Sequence, residues 1–126
     1  LNPNVIEPVT KELSNLKNVH LVDPLDYEPF IYLLKHCHFV ITDSGGIQEE
    51  APSIGKPVLV TREVTERPEA VSAGTVLIVG TNKERIVSEV SRLIDDKAHY
   101  IKMSKSHNPY GDGNSSKMIM DILRAI

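Results

Sequence analysis

Apolar residues along this chain fall into two alternating patterns, helical spacing and short unbroken runs. Val5, Val9, Leu13 and Leu16 recur at helical spacing, and Val19-His20-Leu21-Val22 then reads as a short buried strand closed by Asp23-Pro24. Asp26 is a candidate N-cap for a helix carrying Phe30, Leu33, Leu34 and Cys37, with Pro29 tolerated in the first turn. A strand is predicted over His38–Thr42, a helix over Ile47–Ser53 ending near Gly55, and a strand over Val58–Thr61. The polar stretch Arg62–Arg67 follows. Pro68 to Ala73 reads as one or two helical turns stopped by Gly74, ahead of the strand Thr75–Val79. Asn82 is a good N-cap for a helix with Ile86, Val90, Leu93 and Ile94 on one face, and Asp95-Asp96 resets the chain into a second helix near Ala98–Lys105. After the turn cluster Asn108-Pro109-Tyr110-Gly111-Asp112-Gly113, the residues Met118, Ile119, Ile122, Leu123 and Ile126 form the apolar side of a terminal helix.

About four apolar strands, each separated by a helix, imply β-α-β crossovers and a parallel sheet covered on both faces, a doubly wound α/β fold. Ligands of such sheets sit beyond the carboxyl ends of the strands, which is where Asp43-Ser44-Gly45-Gly46, Arg62–Arg67 and Gly80-Thr81-Asn82 all fall. The length of 126 residues suits one domain, residues 1–126. The opening Leu1-Asn2-Pro3-Asn4 is loop-like and lacks an initiating Met, so a piece of a longer protein is expected. A net charge of -3 gives no basic excess for nucleic acid. Neither a membrane-length apolar run nor a charged-then-apolar leader stands out, so a cytoplasmic protein is expected, with no membrane partner. The single cysteine, Cys37, lies in an apolar helical pattern and reads as a small buried hydrophobe in a reducing compartment.

The turn Ser44-Gly45-Gly46 carries the chemistry. A helix start presents unpaired N–H groups and the positive end of the helix dipole, and a Ser-Gly-Gly entry lets the backbone approach a phosphate while the Ser44 hydroxyl caps the helix. The same tripeptide would also serve as a tight connection. Neither a phosphate-loop lysine motif nor a dinucleotide fingerprint is present, which favours a smaller nucleotide. Glu49 and Glu50 point about 100° apart on a helix, so at most one faces the site. One turn below a phosphate, such a carboxylate suits the vicinal hydroxyls of a ribose; otherwise both belong to a solvated face. Arg67, fixed by the following Pro68, is either aimed from its loop at an anion or a plain surface arginine. Phe30 fits a core position by its spacing, and at the helix start also a contact with a nucleobase. The five histidines show no metal-ligand spacing, and Ser44 is not in a nucleophile elbow, so neither a metal site nor a serine nucleophile is expected.

Taken in order, Asn2-Pro3-Asn4-Val5, Pro24-Leu25-Asp26-Tyr27-Glu28-Pro29-Phe30, Thr42 through Pro57, Thr65-Glu66-Arg67-Pro68-Glu69, Gly74-Thr75 with Val79-Gly80-Thr81, and Asn108 through Gly113 resemble the non-hydrolysing UDP-N-acetylglucosamine 2-epimerases. The similarity runs over the whole chain and is to the carboxyl-terminal part of that family. It implies a glycosyltransferase-B-type protein of two Rossmann-like halves, with this chain the UDP-holding second half and a missing amino-terminal domain as its partner. It implies that Ser44, Gly45 and Gly46 bind the UDP diphosphate, Glu50 the ribose hydroxyls, Arg67 the phosphate or sugar region, and Phe30 the uracil. Leu25 stands where the family's bacterial pattern has Gln; a backbone contact there survives the change, and a side-chain contact would lower uracil affinity.

The reaction the resemblance implies inverts C2 of the GlcNAc moiety, giving UDP-ManNAc by elimination and re-addition of UDP, with no cofactor. The full-length protein would be a homodimer serving cell-envelope polysaccharide synthesis. The acid and base groups belong to the amino-terminal half, so no catalytic residue is assigned here and the isolated chain is expected to be inactive. A glycosyltransferase of the same architecture, a hydrolysing epimerase and a non-catalytic α/β binding module are the competing readings; the Thr65–Glu69 and Asn108–Gly113 motifs argue against the glycosyltransferase.

Overall fold

The computed structural model describes residues 3–105, 108–111 and 113–125, with side chains from residue 5 onward. Asn2, His107, Asp112 and Ile126, which entered the motifs and patterns above, lie outside the described residues. The chain divides into two compact units, residues 1–31 and 32–126, and each is described by itself.

In the first unit, α1 (Pro3–Leu13) carries the predicted Val5, Val9 and Leu13. It begins at Pro3 rather than after an Asn-Pro-Asn loop, because proline suits a first helical position, where its missing N–H costs nothing. The segment Val19–Val22, expected as a strand, forms no ladder. The segment is only four residues long and contains His20, a weak signal, and an apolar pattern does not supply a neighbouring strand. Leu21 and Val22 stay 45% and 67% exposed, and with His20 and Asp23 they line an open hollow of about 480 Å³ against Val5, Ile6 and Val9 of α1. The helix α2 (Tyr27–His36), whose first half belongs to this unit, starts after Asp26 as predicted, and the Phe30 N–H donates to the Asp26 carbonyl at 3.1 Å.

The second unit holds three parallel strands, β1 (Val40–Thr42), β2 (Val58–Val60) and β3 (Val76–Ile78), in the order β1-β2-β3. Their register aligns Ile41, Leu59 and Leu77 in one row and Thr42, Val60 and Ile78 in the next. The strands are shorter than predicted, yet the flanking residues still pair: the Val40 N–H donates to Pro57 O, Thr61 N–H to Thr42 O, and Val79 N–H to Val60 O at 2.9 Å. Between the strands run α3 (Gly45–Ser53) and α4 (Pro68–Ala73), and after them α5 (Lys83–Asp95), α6 (Lys97–Ser104) and α7 (Ser115–Arg124).

Alternate residues of a strand face opposite sides of the sheet, and each side is covered by helices. Leu59 and Val79 pack with Leu93 of α5 and Met103 of α6, joined by Phe39, Leu77, Ile86, Val90 and Tyr100. On the other side α3 packs against β1 and β2, and α4 against β3. There the fully buried Ala51 and Ala70 keep the helices close to Val58, Val60 and Val76. Gly74 closes α4 in the left-handed conformation, φ 80°, where a Cβ would be strained. The result is an α/β fold with a parallel sheet of Rossmann-like type.

Candidate functional site

Every polar motif singled out beyond β1 and β2 lies at the carboxyl edge of the sheet. Thr42, the last residue of β1, accepts the Ser44 N–H on Oγ1 at 3.0 Å and so shapes the entry into α3. Ser44 is the N-cap residue, with extended backbone, but its hydroxyl makes no capping hydrogen bond, contrary to expectation. The turn is held through the Ser44 backbone instead, since Gln48 Nε2 donates to the Ser44 carbonyl at 3.2 Å.

Gly45 and Gly46 are the first two residues of α3, not a separate loop before it. Neither has positive φ, and a Cβ on Gly46 would meet no described atom within 4 Å; on Gly45 the nearest is Glu66 Oε2 at 3.9 Å. Glycine is a poor helix former, costing up to about 1 kcal/mol relative to alanine within a helix and less at its start. Neither backbone strain nor internal packing requires them, and the space beside Gly46 is open. The first N–H groups of α3 lack intrahelical acceptors by construction and face the same space.

Arg67 is the N-cap residue of α4, with Pro68 at the first helical position. Its side chain is not free, because Nε donates to Glu49 Oε1 and Nη1 to the Glu66 carbonyl at 3.2 Å. The Glu49 hydrogen bond and charge raise the Arg67 pKa further above its ordinary value. Arg67 and Glu49 remain 35% and 40% exposed in their side chains, so the ion pair is open to solvent and the guanidinium keeps edges available. A second pair, Arg62 Nη1 to Glu66 at 3.0 Å, lies alongside.

The third motif arrives through Tyr110. Its N–H donates to Asn108 Oδ1 at 3.2 Å, and Asn108 Nδ2 donates to the Gly111 carbonyl at 3.3 Å, which folds the turn on itself. Burial, then the charges of Glu69 and Glu49, push the Tyr110 phenol up. The Tyr110 phenol therefore senses the charges of the Arg67–Glu49 pair.

Ser44, Gly45, Gly46 and Arg67 are thus brought together. Glu50 lies further along α3, half-buried; its backbone carbonyl accepts from Ser53 Oγ at 2.6 Å, and its carboxylate has no partner among the described residues. Phe30 is half-buried in the first unit, and its relation to this edge stays an expectation. Three features of this edge were not foreseen: the hydrogen bonds of Gln48, those of Thr65, and the pairing of Glu49 with Arg67. Gln48 was detectable, since 48, 51 and 52 are spaced as the buried face of a helix, and a glutamine there is a polar residue in an apolar position. Among the described residues no group of three His, Cys, Asp or Glu could hold a metal ion, and no helix is long and apolar enough to cross a membrane.

Residues 1–124 match the sequence model of the UDP-N-acetylglucosamine 2-epimerases. The chain is 60% identical over 124 residues to the UDP-N-acetylglucosamine 2-epimerase of Escherichia coli K12, a match that covers 98% of this chain and 33% of that protein. To the Campylobacter jejuni enzyme of the same name it is 59% identical over 123 residues, again 98% of this chain and 32% of the relative. It superposes on the crystal structure of UDP-GlcNAc 2-epimerase from Neisseria meningitidis bound to UDP-GlcNAc with a TM-score of 0.90 and 52% identity, over 100% of this chain and 34% of that one. The Methanocaldococcus jannaschii enzyme in complex with UDP-GlcNAc and UDP gives 0.76 at 32% identity, over 99% of this chain and 34% of that one. The chain therefore spans about a third of the length of the relatives it matches. With a parallel α/β fold and a glycine-lined helix entry at its carboxyl edge, it belongs to the UDP-N-acetylglucosamine 2-epimerase family.

Proposed function

We propose that this chain is the UDP-holding carboxyl-terminal part of a cytoplasmic enzyme that interconverts UDP-GlcNAc and UDP-ManNAc. The observation that carries the reading is the pair of glycines opening α3 where neither φ nor packing asks for them, with Arg67 held beside the same helix. In the reaction a proton leaves C2, the C1–O bond breaks with its electron pair going to the diphosphate, and UDP adds back after C2 is reprotonated on the other face. The diphosphate gains negative charge as the bond breaks. N–H groups of the Ser44–Gly46 entry and the Arg67 cation are suited to receive that charge, which favours the transition state over the bound substrate. Glu50, one and a half turns into α3, takes the ribose hydroxyls, and Phe30 the uracil. Groups that move the sugar protons belong to the remaining two-thirds of the parent protein, so the chain alone holds nucleotide without turnover.

Titration of the purified chain with UDP, followed by NMR, is expected to show weak saturable binding with shifts centred on Ser44–Gly46 and Arg67. Incubation with UDP-GlcNAc is expected to yield no UDP-ManNAc. The absence of UDP binding by a well-folded chain overturns the nucleotide reading, and turnover by the chain overturns the division of labour. Product analysis on the full-length parent separates epimerisation from hydrolysis or glycosyl transfer.

A further inference from the structure

Gln48 is 0% exposed and is one of the largest fully buried side chains of the molecule, although it is an amide. A buried amide is costly unless it is paired, and a hydrocarbon of similar volume would fill the place without that cost. Its two ends are spent in different directions. Nε2 donates to the Ser44 carbonyl at 3.2 Å, and Oε1 accepts from Thr65 Oγ1 at 2.5 Å. Thr65 Oγ1 in turn accepts the Arg67 N–H at 3.0 Å. The Ser44 backbone is thereby joined to the Arg67 backbone through two side chains. The next residue of α3, Glu49, takes the Arg67 guanidinium, so consecutive positions of one helix hold the backbone and the side chain of the same arginine.

We propose that Gln48 and Thr65 are positioning residues that set the separation between the Ser44–Gly46 entry and Arg67, so that both reach one diphosphate. This rests on the reading of the site as a diphosphate cradle. Neither side chain touches the ligand; each acts through the groups it fixes. The loop 61–67 has no helix or strand of its own, and without the Thr65 hydroxyl nothing on α3 orders the Arg67 backbone. Preorganised groups lose affinity steeply when their supports are loosened.

The test is a double-mutant cycle on UDP affinity in the purified chain, with thermal midpoints measured alongside. Thr65→Val is isosteric and is expected to weaken UDP binding about tenfold, equivalent to about 1.4 kcal/mol, while Thr65→Ser stays within about twofold of wild type. In an Arg67→Ala background, Thr65→Val is expected to add no further loss, because the arginine it positions is gone. Thr65→Ala provides the same comparison should the valine variant fold poorly. Full, independent losses from the two substitutions, or a lowered thermal midpoint with unchanged UDP affinity, overturn the proposal and leave a purely structural network. If the wild-type chain takes up no UDP, it is the cradle reading itself that fails.

Discussion

At the level of single residues, the site shows which signals a sequence carries and which it does not. Ser44-Gly45-Gly46 was legible as a turn between a strand and a helix, and the structure puts both glycines at the start of α3 with open space around Gly46; the reading of that start as an anion entry belongs to the proposal. The Ser44 cap was not legible, since a serine before a helix caps it in most settings, and here Thr42 and Gln48 organise the backbone instead. These facts separate stability from binding. Gly46→Ala is expected to leave the chain as stable as wild type or to raise its stability by up to about 1 kcal/mol, because alanine suits a helix and meets nothing there. The same methyl group occupies the approach to the N–H groups, so UDP binding should fall about tenfold or more. Melting and titration of one variant check both halves, and a destabilised variant with intact binding would contradict them. Cys37 offers a second residue-scale expectation. Its Sγ–H donates to the Leu34 carbonyl at 3.1 Å, and burial pushes the thiol pKa up. Alkylation at pH 7 should therefore be slower than for an unfolded control, with the rate rising above the ordinary thiol range.

At the level of elements, side-chain caps were legible where they formed, and strands where a neighbour was present. Caps are local: Asn82 accepts the Arg85 N–H at 2.8 Å as its position suggested, and at the Asp95-Asp96 break Asp96 accepts the His99 N–H at 2.9 Å. Strands depend on a neighbour, which explains why Val19–Val22 met the pattern and formed no ladder while Val58–Val60, of similar composition, is fully buried at the centre of the sheet. Loss of the cap in Asn82→Ala should cost about 1 kcal/mol in denaturant titration. Asp96 adds a pH dependence of known sign. Hydrogen bonding from the His99 N–H, the largest influence, holds its carboxyl below the ordinary range. A carboxyl with a depressed folded pKa contributes stability that is complete above its unfolded pKa, about 4, and is lost as pH falls through the folded value. The thermal midpoint of the wild-type chain should thus drop more steeply below that pH than that of Asp96→Asn, which caps without titrating. Equal slopes would mean that the cap contributes nothing measurable.

At the level of the whole molecule, the carboxyl edge could be foreseen because parallel topology sends every βα loop to the same side, whatever the details of each loop. What covers each helix could not, because an amphipathic pattern names a face and not its partner. The amphipathic α7 makes the difference physical. Met118, Ile119, Ile122 and Leu123 are 56% to 63% exposed, and no residue of α7 is buried. A ten-residue helix is marginal in water on propensity alone, and packing of its apolar face is the usual source of its stability. By contrast β2 is paired on both edges, and its three residues are 0% exposed. Amide hydrogen exchange opens a protein from its least packed parts upward. In the purified chain α7 should therefore exchange first among the helices of the second unit, α5 later by virtue of Leu93, and β2 last, at a rate approaching that of global unfolding. UDP, bound at the carboxyl edge, should slow exchange at the start of α3 and around Arg67 while leaving α7 unchanged. Protection of α7 comparable to β2 would show that its apolar face is already covered in the isolated chain, by a second copy or by residues outside the described ones.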